Sequence, residues 1–382
     1  MRVGIAGGGP AGLTFAWLAR RLDPTIDVRI VERDRADATY GWGVVFSDTA
    51  LSFVRDVAPE LHAAITAGQI RHESMRIVHR GTEVMLPNNA FLRMARIDLL
   101  RVLRRECERL GVAIEYGRRV EALDEFGDCD LVVVADGANS AIRTRLAAHF
   151  DPTLDVRPNW LAWYGTTQAF DPLSLVFRPC ADGLLIAHAY RYSPTHSTFL
   201  VECDPSTYAA AGFDRMDADA SLRYCERVFA EDLAGHPLLS NRSDWFRYTI
   251  VSNRRWSWGR VVLLGDALRT GHPSVGSGTR LAMQDAIALH QAVAESPGDM
   301  PRALAAFERR RRPGSDTLQA AAVRSTRWYE TVRERLDLDP VSFAVDYLTR
   351  TGHVTHEDIR ARDPALAAAF DALHPPAGEP RP

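Results

Sequence analysis

The sequence contains no lysine, because all 46 of its basic residues are arginine. This absence excludes catalysis that needs a lysine amine, whether as a Schiff-base nucleophile or as a general base. The 49 acidic residues give a net charge of −3, so the chain also lacks the strong basic excess that is typical of nucleic-acid binding.

Cysteine is scarce, with five residues in a chain of 382, and no Cys-x-x-Cys pair occurs. An odd and scattered set argues against a disulfide framework and against a zinc or iron–sulfur site, and it favours a reducing compartment. Redox chemistry in this chain would therefore need an organic cofactor and no metal.

Long apolar runs are also absent. None reaches the roughly 20 residues that span a bilayer, and no basic segment followed by an apolar one stands at the N-terminus. We therefore expect a cytoplasmic protein without a signal peptide, a membrane contact or a nucleic-acid partner, and either a monomer or a homodimer.

A strand–turn–helix–strand unit opens the chain. Val3–Ala6 is short and apolar, Gly7–Gly12 is typical of a turn, Leu13–Leu22 is helix-like, and Asp27–Glu32 is a second strand. From about residue 160 to 203, short apolar runs separated by turn residues indicate an antiparallel sheet inserted into this α/β framework. Further predicted elements are a helix at Arg96–Leu110 ended by Gly111, strands at Leu131–Ala135 and Arg260–Leu264, and helices at Ala218–Leu233, at Thr279–Val293 and beyond Pro301.

The turn carries the spacing Gly7-x-Gly9-x-x-Gly12 between a strand and a helix. In a dinucleotide site the first glycine permits the tight turn, the second lets the backbone approach the pyrophosphate, and the third allows close packing of helix and strand. The N-terminus of the helix then faces the negative charge. Glu32 ends the second strand, 20 residues after Gly12, where it would accept hydrogen bonds from the adenosine ribose.

Two distant motifs favour FAD over a nicotinamide nucleotide. Asp136-Gly137 follows one buried strand, and Gly265-Asp266 follows another and leads into Gly276–Thr279. An extended FAD would need such elements, because its ribityl chain and ring run far from the pyrophosphate.

The runs GGGPAGL, ADGANSAIR and GDALRTGHPSVGSGTRLAMQDA together resemble the class A flavoprotein aromatic hydroxylases. The resemblance implies the para-hydroxybenzoate hydroxylase fold: a Rossmann-like FAD-binding domain, an interleaved antiparallel-sheet substrate domain and C-terminal helices. The implied domain ranges are 1–75, 96–155 and 256–300 for FAD binding, 76–95 and 156–255 for the substrate domain, and 301–382 for the helices.

The resemblance also implies the roles of individual residues. Asp266 would bind the ribityl hydroxyls, Arg96 the phosphate–ribose region, and the Gly276–Thr279 backbone the flavin edge that becomes negative on reduction. The complete set of expected cofactor-binding residues is Gly7, Gly9, Pro10, Ala11, Gly12, Glu32, Arg33, Trp42, Gly43, Arg96, Val120, Asp136, Gly137, Gly265, Asp266, Gly276, Gly278 and Thr279.

Within the class, Gly41–Asp48, Trp163–Thr166, Ala187–Tyr190 and the tail Leu348–Leu366 are similar to the salicylyl-CoA 5-hydroxylase and 2-aminobenzoyl-CoA monooxygenase branch. The resemblance implies that NADH or NADPH reduces FAD, and that O₂ then forms a flavin C4a-hydroperoxide which hydroxylates an aromatic ring. The expected substrate is an aryl-CoA thioester or a related activated aromatic acid.

Three alternatives remain. The violacein-pathway tryptophan-type hydroxylases share the middle runs, so an indole or tryptophan-derived substrate is the second hypothesis. A flavin halogenase is disfavoured, because its catalytic lysine is missing. A non-catalytic FAD-fold binding protein would tolerate loss of the Gly265-Asp266 motif, which is intact.

Candidate substrate residues lie in the inserted sheet and beside the flavin. Strand alternation places His188 and Tyr190 on one face, and we expect Tyr164 to face them from a neighbouring strand. His188 could take a proton from a phenol, and His272 lies in the loop at the expected flavin edge. Each of the four could equally be structural. Trp42 and Phe46 could form an aromatic wall, with core packing as the alternative.

The run Arg309–Arg312 could bind CoA phosphates, although such a run is more often a solvated helix face.

Overall fold

The computed structural model describes residues 1–38, 42–47, 51–67, 69–276 and 278–375. Its strands form two β-sheets in these ranges. The strands within these ranges are β1 (Arg2–Ala6), β2 (Asp27–Val31), β3 (Gly43–Ser47), β4 (Ile70–His79), β5 (Thr82–Ala95), β6 (Ala113–Glu115), β7 (Leu131–Val134), β8 (Pro152–Thr166), β9 (Leu173–Cys180), β10 (Gly183–Arg191), β11 (Ser197–Cys203), β12 (Leu238–Leu239), β13 (Phe246–Asn253), β14 (Ser257–Trp258) and β15 (Val261–Leu263).

Helices cover both sheets. Those in the described ranges are α1 (Pro10–Leu22), α2 (Ser52–Val57), α3 (Pro59–Thr66), α4 (Arg96–Arg109), α5 (Ala141–Arg145), α6 (Ala147–Phe150), α7 (Pro205–Ala211), α8 (Ala218–Val228), α9 (Ala230–Leu233), α10 (Gly265–Leu268), α11 (Gly278–Ala294), α12 (Met300–Glu330), α13 (Pro340–Thr349), α14 (His356–Arg362) and α15 (Pro364–Leu373). Short 3-10 turns lie at Leu123–Phe126, Pro273–Val275 and Val332–Arg335.

The smaller sheet has the order β14-β15-β7-β1-β2-β6 among the described residues. Its strands pair in parallel, except for the antiparallel pair of β14 and β15. The central strands read as continuous apolar runs because α1, α4 and α11 contribute to the core beside them. The packing is close enough that a side chain at Gly4 would lie 2.2 Å from the ring of Phe126.

The larger sheet has the order β12-β8-β11-β10-β9-β4-β5-β3, and β13 pairs with β8. It is mostly antiparallel, as predicted, but β4 and β9 pair in parallel. This pair joins two segments that are far apart in the sequence, so strands from the first hundred residues extend the inserted sheet.

The two faces of the larger sheet have different coverings. One face packs on α8, α9 and their neighbours, through Ala187, Phe199 and Val201. The other face, through Leu175, Phe177 and Ile186, packs on α12, α13 and the helices that follow. Side chains on this second face are therefore the ones that lie between the sheet and the C-terminal helices.

Most of the predicted elements are confirmed within one to three residues. Gly111 has a left-handed φ of +74° directly after the helix that it was expected to end. The helix predicted at Ala218–Leu233 is instead two helices, because the backbone turns at Phe229 and buries this ring against Phe199. The domain ranges stay a prediction, although β3 and part of β4 in the larger sheet lie within residues 1–75.

A buried ion cluster ties the helices of the smaller sheet together. Asp285 of α11 accepts from Arg269 at 2.7 Å and from Arg311 of α12 at 2.9 Å. Its side chain is only 1% exposed, so no solvent screens the pairs. The position of the chain after α10 is thus fixed relative to both helices.

We predict that Asp285→Asn lowers the free energy of unfolding by about 3–5 kcal/mol, because it leaves two guanidinium groups without their buried counter-charge. Urea denaturation measures the change. The matched control is Glu295→Gln, which removes the exposed partner of Arg310 and should cost less than about 1 kcal/mol. Equal losses for the two variants would contradict the importance of the buried cluster.

Candidate functional site

The glycine turn after β1 has the geometry that a phosphate-binding loop needs. Gly7 has a φ of +106°, and a Cβ there would lie 2.2 Å from the carbonyl oxygen of Ala135. A Cβ at Gly12 would lie 2.2 Å from the carbonyl oxygen of Gly7, so the helix follows the turn at close approach. By contrast, a Cβ at Gly9 would meet nothing within 4 Å. The turn is therefore packed beneath and open above, at the N-terminus of α1.

Glu32 closes one side of this turn. Its Oε2 accepts from the backbone N–H of Gly8 at 2.6 Å, and its Oε1 accepts from that of Asp34 at 2.8 Å. Each carboxylate oxygen keeps a second lone pair, which could accept from a ribose hydroxyl.

An open cleft with an empty volume of about 820 Å³ lies above the turn. Arg33, Arg96, Arg104 and Arg119 contribute to its walls, so cations surround a helix N-terminus that has no acidic residue in its first turn. Val120, Asp136 and Gly137 also line the cleft. This charge distribution suits a diphosphate.

Asp136 offers a further polar group. Its Oδ2 accepts from the backbone N–H of Ala141 at 3.1 Å, whereas its buried Oδ1 has no partner among the described residues. Burial raises the pKa of Asp136. An unpaired acceptor in this position fits a bound molecule that brings hydroxyl groups.

The third motif meets the first at α1. A Cβ at Gly265 would lie 3.0 Å from the Cβ of Ala11, next to Pro10 at the start of that helix, and 3.6 Å from that of Ala282 in α11. Asp266 follows with a solvent-accessible side chain, and the surrounding protein raises its pKa despite the nearby Arg96. The three distant stretches therefore converge on one site.

The N-terminus of α11 faces open space. Gly276 has a left-handed φ of +57°, a Cβ at Gly278 would meet nothing within 4 Å, and Thr279 is half-exposed. The first turn contains no acidic residue. Ser277 lies outside the described residues. The arrangement leaves backbone N–H groups available to a ligand edge that carries negative charge.

The segment Trp42–Gly43 is fastened to the larger sheet. Trp42 donates to the carbonyl oxygen of Trp163 at 3.2 Å, and its ring would lie 2.7 Å from a Cβ at Gly165. Gly43 accepts from the hydroxyl of Tyr190 at 2.9 Å. The hydroxyl of Tyr190 is thus engaged in holding this segment, which favours its structural interpretation.

Tyr164 is on the wrong face for the expected role. It pairs with Phe199, and both belong to the core beneath α8 and α9, while His188 pairs with Leu200 on the other face. Its hydroxyl lies 3.4 Å from Ser221 Oγ. The expectation that Tyr164 faces His188 is therefore wrong, because the register of β11 between β8 and β10 places the two side chains on opposite sides. Phe46 is likewise a core residue, 1% exposed.

A polar cluster lies buried beneath the sheet. Glu202 is fully buried and accepts from Asn159 at 2.8 Å, and its Oε2 lies 3.1 Å from Nε2 of His188. Burial alone would raise the pKa of Glu202, but the hydrogen bonds with His188 and Asn159 act against burial, and the pKa is lowered. Glu202 is therefore a carboxylate, and Nε2 of His188 is the donor.

His272 belongs to the same cluster, as an N-cap of the turn Pro273–Val275. It is 2% exposed, and burial lowers its pKa to about 4. The ring of Tyr329 lies 4.9 Å from that of His188 and 6.4 Å from that of His272. The structure thus brings together two of the four candidate residues, His188 and His272.

Glu202, Asn159 and Arg93 were not anticipated from the sequence. Glu202 had a usable signal, since it is the single charge in the apolar strand STFLVEC. Arg93 is fully buried, and none of its guanidinium nitrogens has a partner in the described ranges. Burial lowers its pKa to about 10, so it stays charged at neutral pH. An unpaired buried cation indicates that an anion binds nearby.

Three of the four arginines in the run Arg309–Arg312 form ion pairs with other side chains of the protein. Arg310 pairs with Glu295, Arg311 with Asp285, and Arg312 with Glu308. These contacts favour a structural role for the run over phosphate binding.

The described ranges contain neither a metal-binding cluster nor a helix that could cross a membrane. No group of three or more histidine, cysteine, aspartate and glutamate residues there could hold a metal ion. No helix there combines the length and the apolar character that crossing a membrane requires. All five cysteines are free thiols.

Comparisons with known proteins point the same way as this geometry. The family described as FAD binding domain matches residues 1–128 and 124–321. Salicyloyl-CoA 5-hydroxylase of Streptomyces sp is 37% identical over 381 residues, which are 97% of this chain and 73% of that protein. Protodeoxyviolaceinate monooxygenase of Chromobacterium violaceum is 36% identical, over 92% of this chain and 94% of its own. The 3-hydroxy-4-methyl-anthranilyl-(aryl-carrier protein) 5-monooxygenase of Streptosporangium sibiricum is 37% identical, over 94% and 97%.

Solved structures share the fold. A variant of 2-methyl-3-hydroxypyridine-5-carboxylic acid oxygenase superposes with a TM-score of 0.71 at 19% identity, over 92% of this chain and 96% of that one. PqsL of P. aeruginosa in complex with 2-aminobenzoylacetate gives 0.68 at 21% identity, over 88% and 98%.

We predict that Gly9→Ala weakens FAD binding on the order of tenfold or more, because the added methyl group enters the space where the pyrophosphate approaches the backbone. Fluorescence titration of the apoprotein with FAD gives the dissociation constant. The thermal stability of the apoprotein should stay unchanged, since the methyl group meets no protein atom within 4 Å. Gly314→Ala in α12 is the control, and wild-type FAD affinity in Gly9→Ala would contradict this placement of the cofactor.

Proposed function

This chain belongs to the FAD binding domain family and is an FAD-dependent aromatic monooxygenase. We propose that its substrate is an aromatic acyl group that carries a hydroxyl or amine on the ring carbon ortho to the acyl group. The acyl group is held on CoA or on a carrier protein. Two relatives support this substrate class. The names of both enzymes describe such a group, a salicyloyl-CoA in one and a carrier-bound anthranilyl group in the other.

We further propose which residues hold the cofactor. The turn Gly7–Gly12 and the N-terminus of α1 bind the pyrophosphate, Glu32 the ribose, and Asp266 the ribityl chain. The N-terminus of α11 binds the ring edge that becomes negative on reduction. When bound, FAD accepts reducing equivalents from NADH or NADPH and, with O₂, supplies the oxygen that is transferred to the ring.

The observation that carries the substrate proposal is the buried pair of Glu202 and His188. Glu202 is ionised and accepts from Nε2–H of His188, so in the neutral form of this imidazole the lone pair lies on Nδ1. Nδ1 can accept the proton of a phenol or aniline, and this raises the electron density of the ring at the moment when it must attack an electrophilic oxygen. Glu202 acts as the group that orients His188.

The surroundings of this pair exclude water. His188 is 8% exposed, and Tyr329, at 1%, lies against its ring. Apolar and aromatic residues of α12 and α13 cover the sheet beside it. Exclusion of water strengthens the hydrogen bonds that these side chains make.

A second candidate substrate is a free aromatic carboxylate, such as an indole or tryptophan-derived acid. Arg93 is the observation that favours it, because an unpaired buried guanidinium suits a carboxylate. Arg93 lies two residues after Phe91 on β5, and Phe91 packs against the apolar cluster that contains Leu175 and Ile186. Arg93 therefore lies on the face of the larger sheet that carries His188. Protodeoxyviolaceinate monooxygenase, at 36% identity, is the relative whose name indicates an acid of this kind.

We predict that salicyloyl-CoA or 2-aminobenzoyl-CoA stimulates NADH or NADPH oxidation with a kcat/KM about 100-fold above that of salicylate or tryptophan, since the carrier contributes binding energy remote from the ring. Product analysis by mass spectrometry must show one added oxygen. A kcat/KM that is higher for the free acid than for the CoA thioester, together with a higher KM for the free acid in Arg93→Met, would support the second candidate and overturn the first.

Glu202→Gln should lower kcat on the order of 100-fold, because the neutral amide can donate its own N–H to Nε2 of His188 and so favour the opposite tautomer. Reduction of FAD by NADH or NADPH in the absence of oxygen should proceed at the wild-type rate. The control is His196→Gln, a histidine whose Nδ1 lies near the exposed Thr195 and away from the cluster. A wild-type kcat in Glu202→Gln would contradict the proposed role of His188 as the proton acceptor.

A further inference from the structure

A chain of hydrogen bonds connects His272 with the C-terminal part of the molecule. Nδ1 of His272 lies 2.9 Å from Ser274 Oγ, which lies 2.8 Å from Ser325 Oγ in α12. Ser325 Oγ in turn accepts from Nε of Arg350, at the end of α13, at 2.9 Å. The chain therefore joins the loop after α10 to two separate C-terminal helices.

Arg350 can only donate, because a guanidinium has no acceptor. Ser325 accepts from Arg350 and is free to donate to Ser274, and Ser274 can then donate to Nδ1 of His272. The backbone N–H of Ser274 also donates to Nδ1, at 3.3 Å. Nδ1 is thus an acceptor, and the proton of the neutral imidazole resides on Nε2.

Burial keeps this imidazole neutral. It lowers the pKa of His272 to about 4, and the nearby Glu202, which raises the pKa, does not compensate. The charged and titratable groups that face His272 from the packed elements are Glu202, His188 and Arg157 on the sheet, Tyr248 on β13, Tyr329 on α12, and Arg350 after α13. A proton therefore does not add to the ring at neutral pH, and Nε2–H remains a donor.

We infer that the chain from Arg350 through Ser325 and Ser274 holds His272 as a hydrogen-bond donor to the acyl oxygen of the substrate. The inference rests on the proposed function for the identity of this acceptor. Nε2 of His272 has no hydrogen-bond partner in the described part of the chain. His272 thus provides a donor and His188 an acceptor, both against the ring of Tyr329.

This pair of groups matches the proposed substrate. In an ortho-hydroxybenzoyl or ortho-aminobenzoyl group, the donor hydroxyl or amine and the acceptor acyl oxygen project from adjacent ring carbons. Binding both would orient the ring as well as select it, since an analogue that lacks either group leaves a buried polar atom unpaired.

Ser325 and Arg350 are positioning residues in this account. Arg350 also donates to the carbonyl oxygen of Ser274 at 3.2 Å, and its guanidinium stacks 3.7 Å from the centre of the Tyr347 ring. Arg350 lies in the stretch Leu348–Leu366, which resembles the same enzymes as the motifs of the FAD site. The hydrogen bonds from Arg350 to His272 thus connect this stretch with the proposed substrate site.

The experiment is ¹⁵N NMR of the FAD-loaded full-length protein with labelled histidine, in the absence of substrate. The signals of His272 are assigned by their loss in His272→Gln. We expect a protonated Nε2 and a bare Nδ1 that do not change between about pH 6 and pH 8. Ser325→Ala removes the partner that orients the hydroxyl of Ser274, which can then reverse and accept from Nδ1, so part of the proton should move to Nδ1. Ser315→Ala should not have this effect, because Ser315 is an equally buried serine of α12 whose hydroxyl has no partner among the described residues.

Steady-state kinetics, measured with an aromatic substrate that the enzyme hydroxylates, complete the test. Ser325→Ala should lower kcat/KM about three- to tenfold, and Ser315→Ala should leave it unchanged. His272→Asn keeps an acceptor for Ser274 near the position of Nδ1 but places no donor at the position of Nε2, so activity should fall further. His272→Gln can place its amide N–H at the position of Nε2 and should recover most of the activity.

A proton on Nδ1 in the wild-type protein, or the same tautomer ratio in Ser325→Ala and Ser315→Ala, would overturn the inference. So would equal activity of His272→Asn and His272→Gln, because His272 would then only cap its turn. The tautomer is measured without substrate, so this result is independent of whether the acyl-CoA proposal holds.

Discussion

The ionised carboxylate of Glu202, buried beneath the larger sheet, determines the chemistry at the substrate end of the molecule. A charge in this position is stable only because His188 and Asn159 bond to it, since an unpaired buried carboxylate would take up a proton. The same bond fixes which nitrogen of His188 carries hydrogen. In the proposed function, one buried charge thus defines an acceptor for the aromatic substrate, and the hydrogen bonds that run to Arg350 define a matching donor on His272.

The cofactor end depends on close backbone approach. Side chains at Gly7, Gly12 or Gly265 would lie within about 3 Å of neighbouring atoms, so only glycine allows β1, α1 and the loop after β15 to meet. The segment from Gly265 to Thr279 then links the two ends of the site. It begins beside α1, passes through His272 beneath the sheet, and ends at the N-terminus of α11, so that cofactor and substrate groups are held by one continuous piece of chain.

Short-range patterns in the sequence were sufficient for an α/β framework with an inserted antiparallel sheet and for the cofactor turn, while the para-hydroxybenzoate hydroxylase fold was implied by the family resemblance. Glycine spacing, apolar strands and the acidic end of β2 are local signals, and the elements that they predicted are present. What the sequence could not provide was sheet register. Tyr164 and His188 both alternate correctly along their own strands, but the intervening β11 decides that they face opposite sides. The partners of His272 are equally non-local, because Ser325 and Arg350 are more than fifty residues away and neither carries a recognisable motif. Arg93 was missed because an arginine in a strand ordinarily lies at the surface.

The central claim is that the aromatic ring lies between the FAD and the face of the sheet that carries His188 and His272. A crystal structure of the FAD-loaded enzyme with a bound acyl-CoA substrate tests it most directly. The account predicts the ring hydroxyl or amine within hydrogen-bond distance of His188 and the acyl oxygen within that distance of His272. A substrate bound on the Tyr164 side of the sheet, or with neither histidine in contact, would contradict it.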